Sequence, residues 1–264
     1  MNGQQLLRVL NDSNFIMQAS LGKIDGVSHI NKFGMNPQIT TASDPEDVWD
    51  FEGTYTFSSS ANIDSLSSSD AGDSQDIEVI GLDTDWNEVT QTVKLSGQTT
   101  VNLTTSLRRV YRMINVDSAN ISGNVYCYIN GAAVTNGVPN NDSDVRAYIS
   151  GSNNQTLMCI YTIPANTTGL LLGGYFAMNG VGFLTSTIAE MSLKARPFEG
   201  IFQVKNKLSI GSEGSSTWEY SYPIPELFSE KTDFKVVCEE VTGTTGVSAG
   251  FAFLLFNNST WGLS

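Results

Sequence analysis

Apolar and polar residues alternate with a period of two along much of the chain beyond residue 50. Val89, Val93 and Leu95 fall on one side of a segment whose other side carries Thr90, Thr92 and Lys94, the mark of a strand with one wet face. The same reading predicts strands over 54–57, 77–80, 99–103, 108–116, 121–130, 157–163, 169–177, 188–196, 201–208, 233–241 and 247–256. Turn formers such as Ser96-Gly97, Asn130-Gly131, Asn136-Gly137, Gly151-Ser152 and Gly243-Thr244 part them, and the Ser-rich stretch 58–74 reads as a loop. No segment holds a long helical period, and no repeat recurs at fixed spacing as a propeller or solenoid requires. This pattern predicts an all-β fold, a two-sheet β-sandwich or jelly roll, for a body spanning residues 51–264.

Residues 1–50 read differently. Leu6, Leu7, Leu10, Met17 and Leu21 are spaced for a short helix, but Asn11, Asp12, Ser13 and Asn14 interrupt it, so one or two broken turns are expected. The segment 22–50 contains Asp25-Gly26, Asn36-Pro37 and Asp44-Pro45 and keeps no period. Its apolar residues, among them Ile30, Phe33, Val48 and Trp49, are too numerous for a solvated linker. The expectation is an irregular N-terminal arm that packs on its own body or on a neighbour.

Charge changes the picture next. The chain holds 27 Asp and Glu against 14 Lys and Arg, a formal net charge of -13, which disfavours nucleic acid as a partner. No run approaches the roughly 18 apolar residues of a membrane helix, and the first residues lack the positive start and apolar run of a secretory signal. Neither a membrane partner nor a cofactor is expected. Cys127, Cys159 and Cys238 each sit inside an apolar run; an odd count without close spacing reads as three buried thiols, not as a disulfide framework or zinc ribbon.

Candidate chemistry is thin. His29 is the single histidine, so a Ser- or Cys-based triad has one available base, and it lies in the arm. Asp83, Asp85 and Asn87 start like a calcium loop, but Glu88 stands where glycine is needed and Lys94 where the closing glutamate belongs. These residues, and Asp70, Asp73, Asp76 and Glu78, read as solvated loop carboxylates. A carboxylate-based glycosidase needs an aromatic-lined cleft, and Trp49, Trp86, Trp218 and Trp261 are scattered. Gly211 to Ser216 has glycines but no lysine and reads as a surface loop. Arg108, Arg109 and Arg112 form the one basic cluster. Strand alternation puts Arg108 and Arg112 on one face with Val110, and Arg109 with Tyr111 on the other. In so acidic a chain they are expected to pair with carboxylates, within the chain or across a subunit contact.

A succession of short words carries a resemblance: Ile30-Asn31-Lys32-Phe33-Gly34, Asp47-Val48-Trp49-Asp50, Gly53-Thr54-Tyr55, Ile80-Gly81-Leu82-Asp83, Trp86-Asn87-Glu88-Val89, Val93-Lys94-Leu95-Ser96-Gly97, Asn154-Gln155-Thr156-Leu157-Met158 and Tyr161-Thr162-Ile163-Pro164. Across residues 30–256 the chain resembles virion proteins of tailed phages, especially aquatic ones, and at the level of fold their jelly-roll decoration or cement proteins. The resemblance implies a non-enzymatic subunit on the capsid surface, a homotrimer whose partner is the major capsid protein. Its expected interface residues are Leu6, Leu7, Leu10, Phe33 and Trp49 of the arm and Arg108, Arg109 and Arg112 of the basic strand. The alternative is a tail or baseplate adaptor or receptor-binding module, with Trp218, Tyr220 and Tyr222 as a glycan platform.

Overall fold

A computed structural model describes residues 12–41, 45–151, 153–179, 187–212 and 216–263. After helix α1 (Asp12–Ser20), the strands in chain order are β1 (Val27–Ile39), β2 (Glu46–Asp47), β3 (Ile63–Ser68), β4 (Asp76–Leu82), β5 (Glu88–Lys94), β6 (Val101–Leu107), β7 (Arg109–Asn115) and β8 (Val125–Ile129). They continue with β9 (Val134–Thr135), β10 (Val138–Pro139), β11 (Val145–Ile149), β12 (Ile160–Thr162), β13 (Thr167–Asn179), β14 (Ile188–Arg196), β15 (Gln203–Gly211), β16 (Thr217–Phe228), β17 (Asp233–Val241) and β18 (Thr245–Asn257), before a last helical turn α2 (Asn258–Trp261).

The expected β-sandwich is present, and it is built twice. One lobe packs the sheet β1-β18-β13-β16 on the sheet β12-β17-β14-β15, with β2 added to β17. Leu171, Phe176, Phe251 and Phe253 from the first sheet meet Met191, Leu193, Phe234 and Val236 from the second in one core. The other lobe packs β11-β8-β3-β6 on β5-β4-β7 around Ile63, Leu66, Val125, Cys127, Ile77, Val79, Val110 and Met113. Its strands β3 to β11 are inserted between β2 and β12 of the first lobe. Facing sheets with interdigitated inner side chains are what period-two patterning produces when only one face of each sheet is buried.

Where an irregular arm is expected, residues 27–39 form β1, paired antiparallel with β18 from Val27↔Phe256 to Ile39↔Thr245. Its inward positions are Ile30, Lys32, Gly34 and Asn36, so the alternation is real but chemically disguised. Gly34 is there because a Cβ would lie 2.3 Å from the Cys159 nitrogen and 2.7 Å from the Val48 oxygen. Asn36 is buried because its amide donates to the Glu46 carboxylate at 2.7 Å.

The Ser-rich stretch departs from expectation in the same way. Ile63–Ser68 is a wholly buried strand held between β8 and β6. Its hydroxyls find partners inside: Ser67 donates to the Gly137 oxygen at 2.8 Å and pairs with the Tyr128 hydroxyl at 3.0 Å, and Ser68 donates to Asp73 at 2.6 Å. Buried hydroxyls are tolerated when each is bonded. Residues 54–57, expected as a strand, join no sheet.

Helix α1 begins on the Asp12-Ser13-Asn14 interruption and lies against the outer face of the first sheet, where Ala19 and Phe15 meet Val27, Leu254 and Phe256. Cys127, Cys159 and Cys238 are buried and no disulfide joins them, as their sequence context implies. Among the described residues, no helix is long and apolar enough to cross a membrane.

Candidate functional site: a cation–aromatic seam and an exposed apolar edge

The basic stretch carries Arg108, Arg109 and Arg112, but it does not place them by simple alternation. Ile80 pairs with Arg112 and Gly81 with Val110, so Tyr111 is the extra residue of a bulge. Arg109, Val110 and Tyr111 are in consequence all buried. The Arg109 guanidinium meets Asp233 in a fork, Nε to Oδ1 at 2.9 Å and Nη2 to Oδ2 at 3.1 Å, and donates to the Ser58 oxygen at 2.6 Å. Arg196 also binds Asp233, and the Thr162 hydroxyl donates to the same carboxylate at 2.6 Å. Thr162, Asp233 and Arg196 are direct cross-strand neighbours in one row of β12-β17-β14, which is why they converge.

Flat rings separate these cations. Arg109 lies 5.0 Å from the Trp86 ring and 5.2 Å from Phe57; Arg196 lies 5.0 Å from Phe57 and 4.6 Å from Phe202; Lys235 lies 5.2 Å from Phe202. The order Trp86, Arg109, Phe57, Arg196, Phe202, Lys235 is a ladder in which each cation faces a π-cloud. It ends on Asp47, whose carboxylate binds Lys235 at 2.8 Å; burial pushes the Asp47 carboxyl above its ordinary value and Lys235 opposes that. Arg109, Phe57 and Trp86 belong to the inserted block and the remaining members to the first lobe, so the ladder is a polar seam joining the two. Guanidinium groups stay protonated at any physiological pH. The arrangement suits rigid fastening, and no proton-transfer role follows from it.

The other predicted interface residues scatter. Arg108 lies 4.8 Å from the Trp86 ring and donates to the Ser59 oxygen, and Arg112 donates to the Asn31 oxygen at 3.2 Å. Among the described residues, pairing with a carboxylate is therefore found for Arg109 and not for Arg108 or Arg112. Trp49 is not on the surface: it is 2% exposed, edge-on to Phe51 and Tyr55 at 5.2 and 5.1 Å. Its ring is apolar bulk for the second core, and only its indole N–H reaches out, to the Gly53 oxygen. Phe33 is half-buried on the outer face of β1. Leu6, Leu7 and Leu10 lie outside the described residues.

The acidic residues serve the backbone. Asp83 accepts from the Asp85 and Asn87 amides at 2.8 and 2.9 Å, closing the β4–β5 turn. Asp73 is not a solvated loop carboxylate. It is buried and accepts from Ser68 and from the Ser122 and Gly123 amides at 2.9 and 3.0 Å, because the loop before β8 folds over it. Among the described residues no three His, Cys, Asp or Glu side chains are grouped to hold a metal. His29 is exposed on β1, and burial pushes the Cys127 and Cys159 thiols well up, which makes them poor nucleophiles.

One carboxylate stands apart. Asp50 is buried, and neither of its oxygens has a well-formed hydrogen bond. Burial raises its pKa to about 7, more than the weak pull of the Ser150, Leu157 and Asn153 groups can offset. A raised folded-state pKa means the fold binds the extra proton between pH 4 and 7, so stability falls as pH rises through that window and stays reduced above it. Asp50→Asn is expected to raise stability at pH 8 by about 2 kcal/mol and to do little at pH 4. Urea unfolding at the two pH values measures this; equal gains at both would contradict the account.

The aromatic trio and the edge strands complete the surface. Trp218 stacks on Tyr220 at 5.3 Å, but Tyr220 is buried; of the three residues Trp218 alone is exposed, at 39%. Both lie on β16, a strand the periodicity does not predict because Pro223 and Pro225 interrupt it. Its pairing to β13 skips from Leu171↔Glu226 to Gly173↔Ser221, so residues 222–225 bulge out. Ile224 at that bulge is 87% exposed, Leu227 beyond it 64%, and Ile201 before β15 77%. The local sequence at this bulge is Pro223-Ile224-Pro225.

No family model matches the chain, and no curated protein matches it. Among solved structures, similar ones include several of infectious bursal disease virus. The infectious bursal disease virus VP2 subviral particle is similar at 10% identity and a TM-score of 0.23, over 91% of this chain and 74% of that one. A structure of the Gt strain of infectious bursal disease virus follows at 11% identity and a TM-score of 0.20, over 89% and 73%. Similarity at this level transfers no function.

Proposed function

We propose that this chain is a non-enzymatic structural subunit of a virus particle. More finely, it is a decoration or cement subunit on the head of a tailed phage, a homotrimer that bridges neighbouring copies of the major capsid protein. The observation that carries the reading is the apolar edge: Ile201, Ile224 and Leu227 stand in water on a chain of net charge -13. Large aliphatic side chains left in water are candidate contact points, and Ile224 and Leu227 share one edge strand, β16. The seam supports the same reading, because a subunit that resists shell expansion needs two lobes that do not shear, and ring-sandwiched guanidiniums supply that without reactive chemistry. The resemblance of the short words across residues 30–256 names the kind of particle.

Phage heads lacking this subunit, mixed with the purified protein and pelleted through sucrose, are the test. The protein is expected to pellet with heads and to raise the temperature at which they release DNA. Protein that stays in the supernatant at saturating concentration would contradict the assignment.

A second reading, a glycan-binding tail module, is favoured by the exposed Trp218 ring stacked on Tyr220. It requires glycan-array binding that Trp218→Ala abolishes.

A further inference from the structure

The outer face of the sheet β1-β18-β13-β16 carries a groove of about 440 Å³. Its floor is one cross-strand row, Asn31↔Ala252↔Gly173↔Ser221, in which every side chain is small or polar. The next row, Phe33↔Gly250↔Tyr175, forms one wall, with the Tyr175 ring lying over Gly250 where a Cβ would meet it at 2.5 Å. Leu172 forms the other wall and also packs against the α1 cluster. The trench therefore crosses all four strands and opens at β16, directly beside the 222–225 bulge.

We infer that this groove and the bulge are the two halves of a self-association contact, the Pro223-Ile224-Pro225 knob of one copy seating in the trench of another. Four observations favour a second copy as occupant. Ile224 is 87% exposed on a segment whose two prolines fix the backbone, so little entropy is lost when it docks. The prolines carry no N–H, which disfavours strand addition along residues 222–225 and favours side-chain insertion as the mode of contact there. No carboxylate lines the groove, and Glu226 beside the knob is already paired with Lys205 at 2.7 Å. Two chains of charge -13 repel over most of their surfaces; the trench itself presents no acid to the knob, and Glu219, opposite Tyr175 in the wall row, stands at its β16 end. Knob and hole are different residues, so the contact is heterologous, and with the threefold closure of the virion reading it makes a ring and not an open filament. The inference rests on the virion reading only for the closure of the ring and its size, three; the contact itself is independent of it.

Light scattering on the full chain tests it. The wild type is expected at a multiple of the 28.6 kDa chain mass, with three copies fitting the ring. Ile224→Glu and Ala252→Trp, which spoil knob and trench separately, are each expected to give monomers with unchanged far-UV circular dichroism. An equimolar mixture of the two variants retains one intact knob and one intact trench, and is expected to yield a two-chain species. A monomeric wild type at 100 µM (order of magnitude chosen to exceed ordinary subunit affinities), an oligomer that survives both substitutions, or a mixture that stays monomeric would overturn the contact. Failure to pellet with heads leaves this result untouched, so the two readings fail separately.

Discussion

Asp233→Ala is expected to lower the unfolding free energy by about 3–5 kcal/mol, because it strands Arg109 as an unneutralised charge in the interior. Arg109 is 5% exposed, its fork loses both carboxylate bonds at once, and Arg196 and Thr162 lose the same acceptor. Against a typical total of about 5–15 kcal/mol, that is a large share. Asp233→Asn keeps the shape and the acceptor for Thr162 but removes the charge, and is expected to recover only part of the loss. The control is Glu226→Ala, which breaks the half-exposed pair with Lys205 and is expected to change stability by less than about 1 kcal/mol. Urea denaturation followed by tryptophan fluorescence measures all three. An Asp233→Ala loss no larger than that of Glu226→Ala would show that the seam does not hold the lobes together.

Lys32→Met is expected to stabilise the protein, and to do so most in acid. Lys32 is an inward residue of β1 whose ammonium lies 5.7 Å from the centre of the Tyr111 ring and donates to the Tyr111 carbonyl oxygen. Burial, with Arg112 adding repulsion, lowers its pKa to about 7. With the folded pKa depressed, the unfolded chain binds the extra proton between pH 7 and 10.5, so stability climbs as pH rises across that window and the penalty is full below it. The gain from Lys32→Met is therefore expected to be about 2–3 kcal/mol larger at pH 6 than at pH 9. Asp50 works in the opposite window, its penalty complete above pH 7. Together the two groups impose a stability minimum near neutrality, and each single substitution removes one limb of it. A gain from Lys32→Met that is the same at both pH values would contradict a charged, buried Lys32.

The strands legible in the sequence are those whose inner faces are plainly apolar. The expected 188–196 and 233–241 match β14 and β17 residue for residue, and the alternation of 89–95 became β5. Of the strands that the pattern misses, β1, β3 and β16 were hidden for separate reasons. In β1 the inward positions are held by Lys32, Gly34 and Asn36, whose burial depends on partners far along the chain. In β3 serine hydroxyls replace methyl groups, and nothing local announces that Tyr128 and Gly137 will receive them. In β16 prolines mark a bulge, and the strand resumes beyond it.

The seam was half legible. An arginine cluster in an acidic chain asks for carboxylates, and Arg109 has one, but Asp233 is 124 positions away and the rings between the cations are spread from Phe57 to Phe202. Trp49 illustrates the converse. A large aromatic in a stretch without period looks like an anchor for a neighbour, whereas here it fills the second core.

An image of the assembled particle at a resolution that traces β-sheets addresses the central claim most directly. The subunit is expected on the outer surface of the head at local threefold positions, its β16 edge facing another copy and its acidic surfaces turned to solvent. Density for it at the tail tip, or a complete particle that contains none of it, would contradict the account.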